Sequence, residues 1–311
     1  MKVYRKISKI APKKESIISI GNFDGIHLGH QEILKTVKDM SLKYDLPSAI
    51  ISFYPSASSF LYPVKFQGHI DTDLEKIEKM SSYKIDEFLM LEFDEKIRKM
   101  RAGKFLSEVI VANFKPKIIV VGYDHHFGYD RQGSYDFLKQ NKEKYDYKLV
   151  KINERFLGKN KLSSSNIRTL IIDKDVEKAS TMLGSYFKIR GKVIKGKGIG
   201  KTIEFPTANI EIDKLKTLPG NGVYFVKVVV GSKESYLAMC NIGVKPTISN
   251  KNIISCEVHI FDFNQSLYGK NVDISFIKFI RLERKFDTID SLKKQLIVDK
   301  NKCLEYSCNN V

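Results

Sequence analysis

Residues Ile17–His30 read IISIGNFDGIHLGH: a short apolar run, a turn bounded by glycines, and two histidines three residues apart. The run Ser16–Ile20 is too short for a helix and apolar on both sides, which suits a strand covered on both faces of a parallel sheet. Gln31–Tyr44 then places Ile33, Leu34, Val37 and Met40 at helical spacing. Strand, glycine turn and helix in this order form the unit at which an α/β sheet offers backbone N–H groups to phosphate. His27 and His30 would project from one helix face toward the same ligand. Two imidazoles there can donate to phosphate oxygens and stabilise charge on a phosphorus and its leaving pyrophosphate.

The pattern recurs outward from this stretch. Ser48–Phe53, Glu87–Leu91 and Lys117–Gly122 read as further buried strands, and Asp73–Tyr83 and Ala102–Asn113 as amphipathic helices. The alternation predicts a doubly wound α/β domain with a parallel sheet. Val120–Gly128 (VVGYDHHFG) puts a polar cluster just past a strand, and Ser163–Arg168 (SSSNIR) offers three hydroxyls and a guanidinium before a helix.

Beyond a charged helix expected over Ile171–Met182 the rhythm changes. Lys188–Ile194, Gly222–Val230, Ser235–Ile242, Ile253–Phe263 and Val272–Leu282 are β-rich and separated by turn residues. Closely spaced strands without helices predict a small antiparallel barrel, closed off by a helix over Ile289–Val298 with Asp287 or Thr288 as its cap. The domains are expected at 1–183 and 184–311. In the second, Gly196–Asn209 (GKGIGKTIEFPTAN) carries Gly196, Gly198, Gly200 and Lys201 without the spacing of a Walker A loop. Phe205–Asn209 follows, where the rigid Pro206 precedes Thr207 and Asn209. Two apart in an extended segment, these two face one side and offer the hard oxygens that Mg²⁺ prefers on nucleotide phosphates. Glu257 stands in an alternating strand, where an inward carboxylate needs a reason.

The 311 residues carry 42% hydrophobic and 29% charged positions, ordinary globular chemistry for two domains. The net charge of +17 invites a nucleic-acid role, but the lysines are scattered among acidic residues, as in Asp71–Lys79, and no arginine–aromatic tract is present. Attraction of anionic nucleotides is the use expected of that charge. No apolar stretch reaches the ~18–20 residues of a membrane span, and the opening MKVYRKISKIAPKK lacks the apolar core of a signal peptide. A cytoplasmic protein with no membrane partner is expected. Cys240, Cys256, Cys303 and Cys308 form no CxxC pair, with Cys303 and Cys308 in a polar tail, and read as reduced thiols. The oligomeric state is not legible, and a weak homo-oligomer is compatible with the sequence.

The segments GNFDGIHLGH, VVGYDHHFG and SSSNIR, in this order, resemble the FMN adenylyltransferase module of prokaryotic bifunctional riboflavin kinase/FAD synthetases, within the HxGH nucleotidyltransferase superfamily. The resemblance implies an ATP site made by Gly21, Asn22, Phe23, His27, Gly29 and His30, with Asp124 nearby and Ser163, Ser164 and Arg168 closing over the phosphates. FMN phosphate would attack the α-phosphorus of ATP to give FAD and pyrophosphate. Over about Tyr186–Asp299, GKGIGKTIEFPTAN, LPGNGVY, NIGVKPT, SCEVHI, LYG and FIRLERKF resemble the riboflavin kinase module. That likeness makes Glu257 the base for the ribityl 5′-hydroxyl, with Thr207 and Asn209 on Mg²⁺. Arg281 and Glu283 are left as flavin contacts or an exposed ion pair. Two positions depart from the family: Ser56 stands where a histidine is usual, and Glu204 where a glycine is usual, the latter expected to point to solvent. Lys79–Lys84 (KMSSYK) also resembles the lysine loop of class I aminoacyl-tRNA synthetases, but stands too close to the histidines for that fold. A chain with only the kinase half active, and a flavin-responsive RNA-binding regulator, are the alternatives.

Overall fold

A computed structural model describes residues 1–10, 14–158, 160–196, 204–231, 234–245 and 253–308. Its first unit is built on six parallel strands: β1 (Lys2–Tyr4), β2 (Ser16–Ile20), β3 (Ser48–Phe53), β4 (Glu87–Leu91), β5 (Pro116–Gly122) and β6 (Lys148–Ile152), in the spatial order β1-β4-β3-β2-β5-β6. The chain leaves β2 to one side for β3 and β4 and resumes on the other side with β5 and β6. The carboxyl ends of β2 and β5 therefore flank the crevice in which such sheets bind ligands. Successive residues feed opposite cores, Ile17, Phe88, Ile118 and Val120 one of them and Ile18, Leu89, Ile119 and Val121 the other. That two-sided burial is why these strands read as apolar runs.

Several elements differ from expectation for local reasons. β6 (KLVKI) lies at the sheet edge, and its exposed Lys148 and Lys151 hide it from an apolar-run criterion. Ala102–Asn113 is helical but includes a π-helix over Phe105–Val111, with Phe105, Leu106, Val109 and Ile110 buried. The single helix expected over Ile171–Met182 is instead two, Ser164–Ile172 and Val176–Leu183. Between them Lys174 adopts a left-handed φ of 73°, and the Asp175 side chain caps the second helix through the Lys178 N–H at 3.1 Å. The chain divides into compact units Met1–Ser164 and Ser165–Val311, so both helices, apart from Ser164, go with the second unit, whereas the sequence rhythm changes at 183/184.

After a two-stranded ribbon of β7 (Phe156–Leu157) and β8 (Asn160–Lys161), the second unit holds six antiparallel strands: β9 (Phe187–Ile194), β10 (Ala208–Ile212), β11 (Gly222–Val230), β12 (Glu234–Lys245), β13 (Ile253–Ile260) and β14 (Asn271–Arg281). They close as β10-β13-β12-β11-β14-β9, with β9 pairing back onto β10. The terminal helix begins at Ile289, capped by the Thr288 hydroxyl, which accepts from the Ser291 N–H at 3.1 Å. It does not stop at Val298 but runs to Cys308, because Cys303, Leu304 and Tyr306 continue its apolar stripe against Phe225, Met239 and Ile277. Cys303 is thus a core residue and not part of a polar tail. Cys240 and Cys256 are buried free thiols.

One buried ion pair ties this helix to the barrel. Arg281 Nε and Nη2 donate to the Asp299 carboxylate at 2.7–3.0 Å, Gln295 donates to it at 2.7 Å, and Asp299 has 0% of its surface exposed. Removing one partner strands the other charge, at a cost of about 3–5 kcal/mol. Arg281→Met should therefore lower the temperature midpoint for loss of riboflavin-kinase activity by several degrees, and an unshifted midpoint would contradict this role.

Candidate functional sites

The first site forms at the carboxyl end of β2. Phe23 and Ile26 take left-handed φ values of 46° and 41°, and Gly25 one of 82°. For a β-branched residue such as Ile26 that conformation is strained, and side chains from four surrounding segments hold it. The Asn22 carbonyl accepts from Lys76 Nζ at 2.8 Å and Ser52 Oγ at 3.0 Å. The Asp24 carbonyl accepts from Ser164 Oγ at 2.8 Å, that of Gly25 from Lys79 Nζ at 3.3 Å, and that of Ile26 from Gln31 Nε2 at 3.0 Å. Because a trans peptide sets its N–H opposite its carbonyl, these bonds turn the N–H groups of Phe23, Gly25, Ile26 and His27 away from the donors. The result is a set of backbone donors of the kind that cradles phosphate.

The histidines come together as expected, with one difference in detail. His27 is not in the helix but caps it, its Nδ1 accepting from the His30 N–H at 3.4 Å. The two rings stack with centroids 3.8 Å apart, and Phe23 lies 5.1 Å from His30 on a tilted plane. A methyl at Gly29 would crowd the His27 ring at 3.3 Å, and one at Gly21 the Phe23 ring at 3.2 Å. Burial pushes the His27 imidazole down to about 4, against the pull of Asp124 and Asp24. His30 is held well below the usual histidine range by burial, then by the charges of His27 and Lys76, and its Nδ1 is buried without a hydrogen-bond partner among the described residues. Both rings are neutral at pH 7. With Nδ1 of His27 accepting, its proton sits on Nε2, ready to donate.

The shift in His27 has a consequence for stability. An unfolded histidine titrates near 6.5, so between about pH 6.5 and 4 the unfolded chain binds a proton that the folded site refuses. Stability is full above that window and is lost as pH falls through it, by about 2 kcal/mol from His27 at pH 5. The urea midpoint for unfolding of the first unit, followed by circular dichroism, should drop between pH 7 and pH 5, and His27→Asn should shrink the drop.

Asp124 lies exposed in the turn after β5, close enough to His27 to act on its charge. Asn22 is exposed on the turn. Ser164 is engaged with the Asp24 carbonyl, Ser163 precedes it, and Arg168 stands on helix Ser164–Ile172. Ser56 is buried as the cap of helix Ala57–Leu61, accepting from the Ser59 N–H at 3.3 Å. The KMSSYK lysine, Lys79, is committed to Asp71 at 2.7 and 2.8 Å and to the Gly25 carbonyl.

Two cavities open on the barrel and meet at Thr207. One, of about 320 Å³, is lined by Thr207, Asn241, Glu257, His259, Arg281 and Glu283, with Phe205, Phe286, Leu292 and Leu296 as its apolar wall. The other, of about 370 Å³, is bounded by Val193, Pro206, Thr207, Phe263 and Tyr268. Asn209 is the register partner of Glu257 across β10 and β13, and a methyl at Gly196 would overlap the Asn209 amide. Arg281 and Glu283 do not pair with each other. Arg281 is taken by Asp299, and Glu283 accepts from Asn241 Nδ2 at 2.9 Å. Glu204 is exposed with φ 64°, where glycine is the unstrained residue, and pairs outward with Lys293 at 2.5 Å. Gly198, Gly200 and Lys201 lie outside the described residues. Sequence reasoning missed His259, whose Nδ1 donates to the Pro206 carbonyl at 2.8 Å and whose imidazole is lowered mainly by burial. It also missed Lys76, a charged residue on the inward face of helix Asp73–Ser82.

Neutral imidazoles stand at the switch point of a parallel sheet, and a carboxylate stands beside a hydroxyl and an amide on a closed barrel, arrangements suited to a nucleotide-dependent transferase. The family described as FAD synthetase matches residues 9–166, and that described as riboflavin kinase matches residues 183–307. Bifunctional riboflavin kinase/FMN adenylyltransferases are similar along nearly their whole length. That of Buchnera aphidicola is 37% identical over 96% of both chains, that of Bacillus subtilis 35% over 95% of this chain and 93% of the relative, and that of Escherichia coli K12 30% over 98% of both. A crystal structure of a protein described as a macrolide-efflux protein from Streptococcus pneumoniae superposes with a TM-score of 0.87 at 32% identity, over 96% of this chain and 97% of that one. Among the described residues no helix is long and apolar enough to cross a membrane. The chain belongs to the bifunctional riboflavin kinase/FMN adenylyltransferase family, and is an enzyme of flavin-nucleotide synthesis.

Proposed function

We propose that the adenylyl-transfer step runs at the imidazole turn and the riboflavin-phosphorylation step at Glu257. The adenylyltransferase domain is taken as 1–183 and the kinase domain as 184–311. In the first, a phosphate oxygen of FMN attacks the α-phosphorus of ATP, the bond to the bridging α–β oxygen breaks, and pyrophosphate leaves. The outward N–H groups of the Gly21–His30 turn and the Nε2–H of His27 receive the negative charge that builds on the phosphates. Ser163 and Ser164 offer hydroxyls to the triphosphate. The stacked histidines, neutral and already in place, are the observation that carries this half.

In the second, Glu257 accepts the proton of the ribityl hydroxyl as its oxygen attacks the γ-phosphorus of ATP and ADP leaves. The cavity walled by Phe205, Phe286, Leu292 and Leu296 suits the flat isoalloxazine, and the one on the far side of Thr207 suits the nucleotide. Thr207 therefore stands where the two substrates meet. A magnesium ion fits this donor set. The oxygens of Thr207 and Asn209 are hard ligands, and Gly196, lacking a Cβ, leaves room for the Asn209 amide. Among the described residues no three His, Cys, Asp or Glu are grouped to hold a metal. Magnesium would neutralise phosphate charge, while Pro206, fixed by His259, and Phe205, anchored in the core, keep the donors aligned.

The partners are small molecules in the cytoplasm, namely riboflavin, FMN and MgATP, with FAD as product. Incubated with FMN and MgATP, the purified chain should release one pyrophosphate per FAD formed. With riboflavin and MgATP it should form FMN before FAD. Pyrophosphate release no faster than without the chain would leave only the kinase half active.

A further inference from the structure

The apolar face of helix Asp73–Ser82 carries one residue that packing does not call for. Met80 is wholly buried on it, and four residues earlier Lys76 is 2% exposed, where a methionine or leucine would fill the same space without burying an ammonium. Its Nζ reaches the Asn22 carbonyl at 2.8 Å, from beneath the turn that ends in the two histidines. The Asp24, Asp71 and Asp73 carboxylates act on it, and it acts on His30. The same helix sends Lys79 to Gly25, and the Asp71 N–H donates to Asp24 Oδ1 at 3.1 Å. Helix and turn are thus joined by polar contacts that have no part in the hydrophobic core.

We propose that Lys76 is a positioning residue for adenylyl transfer: its buried ammonium holds the Asn22 carbonyl inward, which aims the Phe23 N–H outward, and sets a fixed positive charge behind the His30 ring. This rests on the assignment of His27 and His30 to the adenylyl-transfer step. The left-handed Phe23 and Ile26 would relax without such anchors, and the donors would swing off the phosphates by a distance that matters to the transition state more than to ground-state binding. Burial draws the lysine below its usual range, and the Asp24, Asp71 and Asp73 carboxylates oppose this.

The test compares Lys76→Met, Lys76→Arg and His30→Asn in the full chain, with circular dichroism and the urea midpoint of the same samples as the measure that the first unit is folded. Lys76→Met should lower kcat for FAD formation on the order of 100-fold, the scale of one lost preorganised donor, with the KM for ATP changed by less than about threefold. Lys76→Arg should recover most of that loss, because it restores a charged donor. If Lys76→Met retains kcat within about twofold while His30→Asn is inactive, Lys76 has no such role and the histidine assignment stands. If His30→Asn is itself as active as the parent, the histidine assignment falls and this inference with it. Equal loss in Lys76→Met and Lys76→Arg, with the KM for ATP raised in both, would reduce Lys76 to packing and overturn the proposal.

Discussion

Glu257→Gln lowers riboflavin phosphorylation by about 10²–10⁴-fold, the range that a positioned general base contributes. Glutamine keeps the size and one hydrogen-bonding oxygen but cannot take a proton, so the KM values for riboflavin and ATP should move far less than kcat. The prediction depends on where Glu257 stands: on β13 beside Asn209 in register, facing the cavity it shares with Thr207. A carboxylate needed only for folding would show itself differently, as a kinase of near-normal kcat and lowered thermal stability. FAD formation from supplied FMN should be untouched, and steady-state assays of both reactions on one preparation decide the matter.

His30→Asn has the opposite signature. FAD formation should fall by about 10²–10³-fold, since the change removes one preorganised donor from a water-poor site, while FMN formation stays at the parental rate. The asparagine also leaves His27 without its stacking partner, so part of the loss is expected to come from a freed His27 ring. Because both imidazoles are neutral well below pH 7, lowering the pH toward 5.5 should not rescue or abolish the parental reaction by titrating them. A steep acid limb near pH 6.5 that disappears in His30→Asn would contradict the neutral pair.

Much of this architecture is legible in the chain itself. Two-sided burial leaves its mark as unbroken apolar runs, so β2, β3 and β4 carry the expected residues. The runs alone do not reveal β6, an edge strand with lysines on it, or the continuation of the last helix, where Cys303 packs among charged neighbours. The pairing of His27 with His30 follows from spacing. The route by which Lys76 joins them does not, because DTDLEKIEK has the composition of a solvated face and only the tertiary position of Met80 shows that Lys76 points inward. Arg281 is the same lesson reversed: a residue that looks free to meet a flavin is held by Asp299, eighteen positions later on another element. Ionic commitments over such separations have no local signature.

Each half is expected to complete its own reaction, with FMN as the link between them. This is tested most directly by mixing Glu257→Gln with His30→Asn in one vessel with riboflavin and MgATP. Neither variant alone should turn riboflavin into FAD at an appreciable rate, whereas the mixture should, because FMN made by His30→Asn is adenylylated by Glu257→Gln. No FAD from the mixture, when each variant retains its remaining activity, or ample FAD from either variant alone, would contradict two independent sites.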